Sequence, residues 1–348
     1  MDSIKSDLRS IKYDDLVTVM SSLGEPKYRA DQVYDWLHVK GVNSMDEMGN
    51  VSKSVKNKLS ESYEIYSMNI VEVLVSKYDG TKKYLFSLHD GNIIESVFMR
   101  YEHGNSVCVS SQVGCNMGCR FCASTIDGKV RNLTAGEMLG QIYGIMRETG
   151  ERISNVVVMG SGEPLDNYDT LIDFVEILSG EKGLNISQRN ITVSTCGLVD
   201  KIYDLSKLKL QITLAISLHA ATDEKRKSLM PIANKYSLDE LIKACGDYFT
   251  ETGRRITFEY ALVQGENDSA EDANTLSALI ASLNCHVNLI PVNPIKERNY
   301  HRSDQNAVSA FKNKLEKNHI NVTIRREMGR DIDGACGQLR RRYLSDFS

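Results

Sequence analysis

No run in the sequence approaches the roughly 18 apolar residues that cross a bilayer. The opening stretch, Met1-Asp2-Ser3-Ile4-Lys5-Ser6-Asp7, also lacks the apolar segment of an export signal. A membrane-bound or secreted chain is not expected, and a cytoplasmic one is. Excess positive charge is missing too: 42 Lys and Arg against 46 Asp and Glu leave a net charge of -4. Nothing draws the whole chain toward nucleic acid, so RNA contact would need a local patch. Internal repeats, low-complexity segments and recognised RNA-binding modules are absent as well. Apolar residues make up 41% and charged residues 25%, the proportions of an ordinary folded protein rather than a disordered one. The 348 residues suffice for one large unit and one smaller. Eight cysteines are present, and in a reducing compartment they point to metal or redox chemistry rather than structural disulfides.

Three of them fall within Gly114-Cys115-Asn116-Met117-Gly118-Cys119-Arg120-Phe121-Cys122-Ala123-Ser124-Thr125. The C-x3-C-x2-C spacing lets one loop present three thiolates to a single inorganic centre, and thiolates select zinc or iron-sulfur clusters. A structural zinc site closes with four ligands, and clusters usually take four cysteines. The stretch supplies three. Cys115, Cys119 and Cys122 on a four-iron cluster would leave one iron open to a small molecule. That arrangement resembles the radical S-adenosylmethionine (SAM) superfamily, where the open iron chelates the amino acid end of SAM. Zinc ligation and burial in a core are the competing readings.

Along the chain, residues 1–65 read as a small helical accessory unit. Helices are expected over Asp14 to Leu23, Arg29 to Lys40 with Val33, Trp36 and Leu37 inward, and Ser52 to Leu59 behind a Ser52 cap. Residues 66–103 change to a period of two, in Ile70 to Val75, Lys83 to Leu88 and Ile93 to Met99. Asp79-Gly80 and Asp90-Gly91 punctuate them as hairpin turns, which predicts a small antiparallel sheet. From residue 104 to 348 strands and helices alternate. Strands are expected at Ser106–Ser110, Asn155–Met159, Asn190–Ser194, Ile212–Ser217, Arg255–Tyr260, His286–Ile290 and Val322–Arg325. Thr134-Ala135-Gly136-Glu137 opens a helix as a capping box, and another helix is expected to start at Ser237-Leu238-Asp239-Glu240. The expected fold is α/β, a partial (βα)6-type barrel preceded by the helical unit and the short antiparallel extension.

Catalytic groups in such a barrel sit just after the strands, and the unusual residues fall there. Gly162 and Glu163 follow one strand, with glycines that let backbone approach a ligand and a carboxylate that can accept from an ammonium group. Ser194 closes another strand, Ser217-Leu218-His219 a third, and Asn293 lies past a fourth; these offer hydroxyls, an imidazole and an amide to a ribose or an adenine. Each in isolation also fits a turn or cap. Arg325, Arg326, Arg330, Arg340, Arg341 and Arg342 form a basic stretch near the C-terminus that could hold phosphates.

Several segments together are similar to the RlmN family: Gly114 to Thr125, Arg131 to Glu137, Gly162-Glu163-Pro164-Leu165, Ser217-Leu218-His219, Leu229-Met230-Pro231-Ile232 and Asp331 to Leu339. The resemblance covers nearly the whole chain. It implies a methyltransferase acting on C2 of adenine 2503 in 23S rRNA, before full ribosome assembly, and of adenine 37 in tRNAs. It further implies a [4Fe-4S] cluster on Cys115, Cys119 and Cys122, and SAM held by Gly162, Glu163, Ser194, Ser217, Leu218, His219 and Asn293. C2 is an electron-poor carbon with no lone pair to attack a methyl group, so the implied route is radical and uses two SAM molecules in turn. Cys336 takes the first methyl as S-methylcysteine, and Glu95 is the proton acceptor. Cys108 resolves the RNA adduct through a transient disulfide with Cys336. A flavodoxin or ferredoxin-type reductant and a monomeric state are expected. Cys196, Cys245 and Cys285 match no functional position and read as packing. The rivals are a Cfr-type C8 methyltransferase and a zinc-stabilised RNA-binding protein without catalysis.

Overall fold

The computed structural model describes residues 5–295, 297–332, 339–340 and 342–343. The N-terminal unit contains β1 (Ser6–Asp7), α1 (Tyr13–Ser22), α2 (Lys27–His38), α3 (Lys53–Ser60) and β2 (Tyr63–Glu64), with β1 and β2 paired in parallel. Ser52 caps α3 by accepting from the Val55 amide. Val33 and Leu37 are fully buried as the period requires. Trp36 is only half-buried: its indole donates to Asn50 and its ring carries the Lys40 ammonium 3.7 Å above it. Buried Arg9 donates to the Val42 carbonyl, and buried His38 meets the Tyr143 hydroxyl at 2.9 Å.

The main sheet is built from β3 (Met68–Val75), β4 (Lys82–Leu88), β5 (Ile93–Tyr101), β6 (Gly104–Cys108), and then, after a small hairpin, from strands that alternate with helices. The hairpin is β7 (Gln112–Gly114) with β8 (Lys129–Asn132). There follow α4 (Ala135–Thr149), β9 (Asn155–Val158), α5 (Tyr168–Ser179), β10 (Ile191–Thr195), α6 (Val199–Lys207), β11 (Thr213–Ser217), α7 (Asp223–Leu229), α8 (Leu238–Thr252), β12 (Ile256–Leu262), α9 (Ala270–Ile280), β13 (Cys285–Pro291), α10 (Gln305–Lys317) and β14 (Val322–Ile324). The capping boxes at Thr134 and Ser237 both form, opening α4 and α8.

Strand order is β14-β13-β12-β11-β10-β9-β6-β5-β4-β3. β6 and β9 through β14 run parallel, in six strand-helix units closed by β14, and the sheet stays open because β14 and β3 stand at opposite ends. The antiparallel strands are not a separate small sheet, as their local period suggested. β5 pairs with β6, so all ten strands are continuous. An unpaired β6 edge would leave a row of backbone donors and acceptors unsatisfied, and β5 supplies their partners.

Pairing register decides what this extension presents. Leu85 lies opposite Glu95, Lys83 opposite Val97, and Val97 opposite Cys108. Directly opposed residues point to the same side, and alternate residues of a strand share a side. Lys83, Glu95, Val97, Met99 and Cys108 therefore occupy one face. Ser96, on the other face, donates to Gln141 of α4. The face that bears Lys83, Glu95 and Cys108 is partly covered by Leu339, which packs on Leu85 and Ile93 with Leu74 and Tyr343 at its margin.

The β7–β8 hairpin was not anticipated, because three- and four-residue strands carry too little period to read. Its closure depends on Gly114, whose φ of +75° and packing leave no room for a side chain: a Cβ there would overlap the Gly128 carbonyl oxygen. Gly114→Ala is expected to open the hairpin and release the intervening loop. Iron content after anaerobic reconstitution should fall at least several-fold below wild type, and full retention would refute the assignment.

Candidate active site

The loop from Cys115 to Cys122 joins the two strands of the hairpin and is held by backbone bonds. Cys115 N–H donates to the Gly128 carbonyl at 3.1 Å, and Arg120 N–H to the Leu229 carbonyl at 2.8 Å. The Thr125 hydroxyl donates to the carbonyls of both Cys119 and Cys122. All three cysteines line one cavity of about 270 Å³ at the C-terminal mouth of the parallel strands.

Burial pushes the Cys115 thiol up to about 12, and nearby Cys122 adds to the rise. Cys119 is pushed well above its ordinary value by burial and by the other two cysteines. Thiolates crowded this way need a positive centre among them. No group of three His, Cys, Asp or Glu side chains among the described residues is arranged to hold one metal ion. A cluster that gives each thiolate its own iron does not need that convergence, whereas a closed mononuclear zinc site does. The donor set fits a cluster.

The rest of the cavity wall comes from the strand ends. Gly162, Glu163, Ser194, Ser217, His219 and Asn293 all line it, with Thr195, Cys196, Met230, Glu259 and Arg325. The Ser194 and Ser217 hydroxyls lie 3.4 Å apart. Glu163 is fixed rather than loose: one carboxylate oxygen accepts from the Leu165 amide at 3.0 Å and the other from the Cys196 amide at 2.7 Å. Burial pushes its carboxyl up against the pull of those amides. The Thr195 and Cys196 side chains also lie against this carboxylate. The glycine at 162 serves packing more than ligand approach. Its φ is +109°, and a Cβ there would sit 2.6 Å from that of Gln112.

His219 has the unusual φ of +56° for a non-glycine residue, a strain that accumulates at functional sites. Its Nδ1 accepts from the Ala261 amide at 2.9 Å, which assigns the proton to Nε2, and its carbonyl accepts from Asn267. Phe121 from the cysteine loop meets the ring edge-on, with centroids 4.8 Å apart. Burial, with Arg226 nearby, lowers the imidazole to about 3, so it is neutral.

Leu218 does not reach the cavity through its side chain, which is fully buried in the main core. Its N–H donates to the Glu259 carbonyl and its carbonyl accepts from Arg226. Cys108 lines a second cavity of about 150 Å³ with Val97, Met99, Tyr101, Asn293 and Arg325. Ile290, Asn293 and Arg325 border both cavities. Glu95 lies farther along the same face, buried, and takes the Arg340 amide and the Lys83 ammonium. Cys336 lies outside the described residues. No disulfide joins two described cysteines.

Two wall residues escaped the sequence reading. Cys196, read as packing, forms the cavity wall beside Glu163, while Cys245 and Cys285 do sit in the core. Glu259 is buried, pushed up by that burial with Arg325 opposing it, and accepts from Asn288 at 2.9 Å. A glutamate inside the apolar run Ile256-Thr257-Phe258-Glu259-Tyr260 was the available signal. The basic stretch also divides. Arg325, Arg326 and Arg330 are exposed, Arg342 is exposed but paired with Glu72, and Arg341 lies outside the described residues. Arg340 is buried and donates to the Ile93 carbonyl, so it is not part of a phosphate-facing patch.

An open strand-helix sheet with a three-cysteine loop at its mouth defines the class, a radical SAM enzyme. Residues 109–276 match the radical SAM superfamily, and residues 6–65 match the ribosomal RNA large subunit methyltransferase N-terminal domain. A probable dual-specificity RNA methyltransferase RlmN of Lachnospira eligens is 64% identical over 98% of this chain and 98% of its own. That of Clostridium novyi is 57% identical over 95% and 96%. A solved radical SAM methyltransferase from Sphaerobacter thermophilus superposes with a TM-score of 0.91 at 41% identity, covering 96% of this chain and 98% of that one. The chain belongs to the RlmN family of dual-specificity RNA methyltransferases, whose cofactors are a [4Fe-4S] cluster and SAM. No helix among the described residues is long and apolar enough to cross a membrane.

The buried histidines make stability depend on pH. His38 and His219 are both lowered to about 3 by burial, against about 6.5 when unfolded. Below 6.5 the unfolded chain binds protons that the folded chain refuses. Their contribution is thus complete above pH 6.5 and is lost as pH falls toward 3, at up to about 1.4 kcal/mol per pH unit for each histidine. Urea denaturation at pH 7 and pH 5.5 should show a smaller loss for His38→Gln than for wild type. Equal losses would contradict the assignment.

Proposed function

We propose that this chain methylates C2 of adenine 2503 in 23S rRNA and of adenine 37 in tRNAs, in the cytoplasm, as a monomer. One observation carries this reading. Sheet register sets Glu95 and Cys108 on the same face, and the cavity beside Cys108 shares Ile290, Asn293 and Arg325 with the cavity beside the cysteine loop. Cys115, Cys119 and Cys122 would hold the cluster. Gly162, Glu163, Ser194, Ser217, His219 and Asn293 would hold SAM, with Leu218 acting through its backbone bonds. When bound, these groups supply the radical chemistry that activates an otherwise inert methyl group.

The protein's own residues do the rest. Cys336, by family resemblance, carries the methyl group to C2 as S-methylcysteine. Glu95 accepts the proton that leaves C2, and Cys108 attacks the Cys336 sulfur to free the RNA. The resulting Cys108–Cys336 disulfide must be reduced before the next cycle, and the reductant partner of the enzyme is a flavodoxin or ferredoxin-type protein. Residues 1–65 serve as a helical accessory unit, 66–103 as the extension that carries Glu95, and 104–348 as the radical SAM core. Exposed Arg325, Arg326 and Arg330 meet phosphates near the reacting base.

Anaerobic incubation with SAM, reductant and unmodified 23S rRNA fragments or tRNA, followed by nucleoside mass spectrometry, is expected to yield 2-methyladenosine from both. Only 8-methyladenosine would replace the C2 assignment, and a colourless one-zinc protein without product would replace the enzyme reading.

A further inference from the structure

Lys83 is 1% exposed and Glu95 3%, and the Lys83 Nζ stands 3.3 Å from one Glu95 oxygen. The other oxygen accepts the backbone amide of Arg340. Lys83 is held on β4 and Glu95 on β5 as diagonal neighbours, between Leu74, Leu85 and Val97 of the same face. An apolar side chain of similar length would fill this place without desolvating an ammonium group, which is costly in a protein interior. The chain carries a lysine there nonetheless.

From this we propose that Lys83 is a positioning residue for proton transfer, holding the Glu95 carboxylate in place on the face that bears Cys108. The inference rests on the role assigned to Glu95 above. A buried carboxylate holds one geometry only when an opposite charge and hydrogen bonds fix it there. Among the described residues, the other charged groups near this face have further partners. Arg340 contributes its amide while its guanidinium Nε donates to the Ile93 carbonyl. Arg342 pairs with Glu72 at the exposed edge. On β6, Cys108 is the titratable group, on the far side of Val97. In the step itself the C2 proton passes to a Glu95 oxygen and the C–H electron pair stays in the ring.

The test compares Lys83→Met, Lys83→Gln, Lys83→Arg and Glu95→Gln, each loaded with cluster and given SAM, reductant and tRNA. Iron content, 5'-deoxyadenosine release, covalent RNA adduct on denaturing gels and 2-methyladenosine are read for each. Lys83→Met is expected to keep iron and SAM cleavage within about twofold while product falls on the order of 100-fold, the scale of a lost proton-transfer group, and adduct accumulates. Lys83→Gln should behave likewise and decides the matter if Lys83→Met does not fold. Lys83→Arg should recover most of the product. Native product formation by Lys83→Met or Lys83→Gln, with adduct accumulating in Glu95→Gln, overturns the role of Lys83 alone. Loss of product without adduct in all three Lys83 variants also overturns it, by showing a purely structural part. Normal turnover by Glu95→Gln overturns instead the proton-acceptor reading beneath it.

Discussion

Cys108→Ala is expected to stop after one turnover with RNA covalently attached to the protein. The side chain is buried at the last position of β6, on the face it shares with Glu95, and opens into the cavity bordered by Met99, Asn293 and Arg325. Exchanging the thiol for a methyl group removes one heavy atom at a strand end, so a cost of about 1 kcal/mol is expected and the sheet stays intact. In the proposed mechanism, capture of the methyl group and attachment to the base need only Cys336 and the cofactors, whereas release needs a thiol to attack the Cys336 sulfur. Denaturing electrophoresis of labelled tRNA should therefore show a slow, protease-sensitive band, and free 2-methyladenosine should fall on the order of 100-fold or more. Repeated turnover by the variant would take Cys108 out of the mechanism.

The largest loss of stability is expected from Arg226→Met. Arg226 is fully buried on α7, and its guanidinium donates to the carbonyls of Leu218 at 3.2 Å and Cys196 at 2.6 Å. It thereby ties the turn after β10 to the turn after β11, the two turns that carry Ser194, Ser217 and His219 to the cavity. Burial pulls this guanidinium down, while the Cys196 and Cys119 thiols oppose that pull. Methionine fills the space but leaves two buried carbonyls without their donor, at about 1–3 kcal/mol each. A combined loss of roughly 3–5 kcal/mol is the scale for breaking a buried charged contact. The midpoint of urea denaturation and SAM affinity should drop together. A variant within about 1 kcal/mol of wild type and with native SAM affinity would show that the turns hold themselves.

The features legible in the sequence were those carried by neighbours along the chain. The capping box at Thr134, the helix start at Ser237, the glycine turns at Gly80 and Gly91, and the strand period from Ile93 to Met99 all need only a few consecutive residues. The strand ends bearing Ser194, Ser217 and Asn293 were legible for the same reason, and they meet at one cavity. What failed depended on partners far away. The pairing of β5 with β6 merged two expected sheets, and nothing in either segment alone announces it. Leu218 sits between Ser217 and His219, yet strand alternation turns its side chain into the core. Arg340 looked like part of a basic patch because its contact with Ile93 spans most of the chain. Cys196 looked inert because its contact with Glu163 spans 33 positions of the chain.

The contact between Glu95 and Arg340 has a consequence for how the chain is made. These residues are 245 positions apart, and proteins emerge from the translating ribosome N-terminus first, at about 5–20 residues per second. The extension can fold as soon as β6 has appeared, with Lys83 already beside Glu95. The amide that completes the carboxylate's setting arrives more than ten seconds later at the faster of those rates. During that interval a nascent chain can hold its sheet before Glu95 gains the Arg340 amide, so the setting proposed for proton transfer is completed only near the end of synthesis.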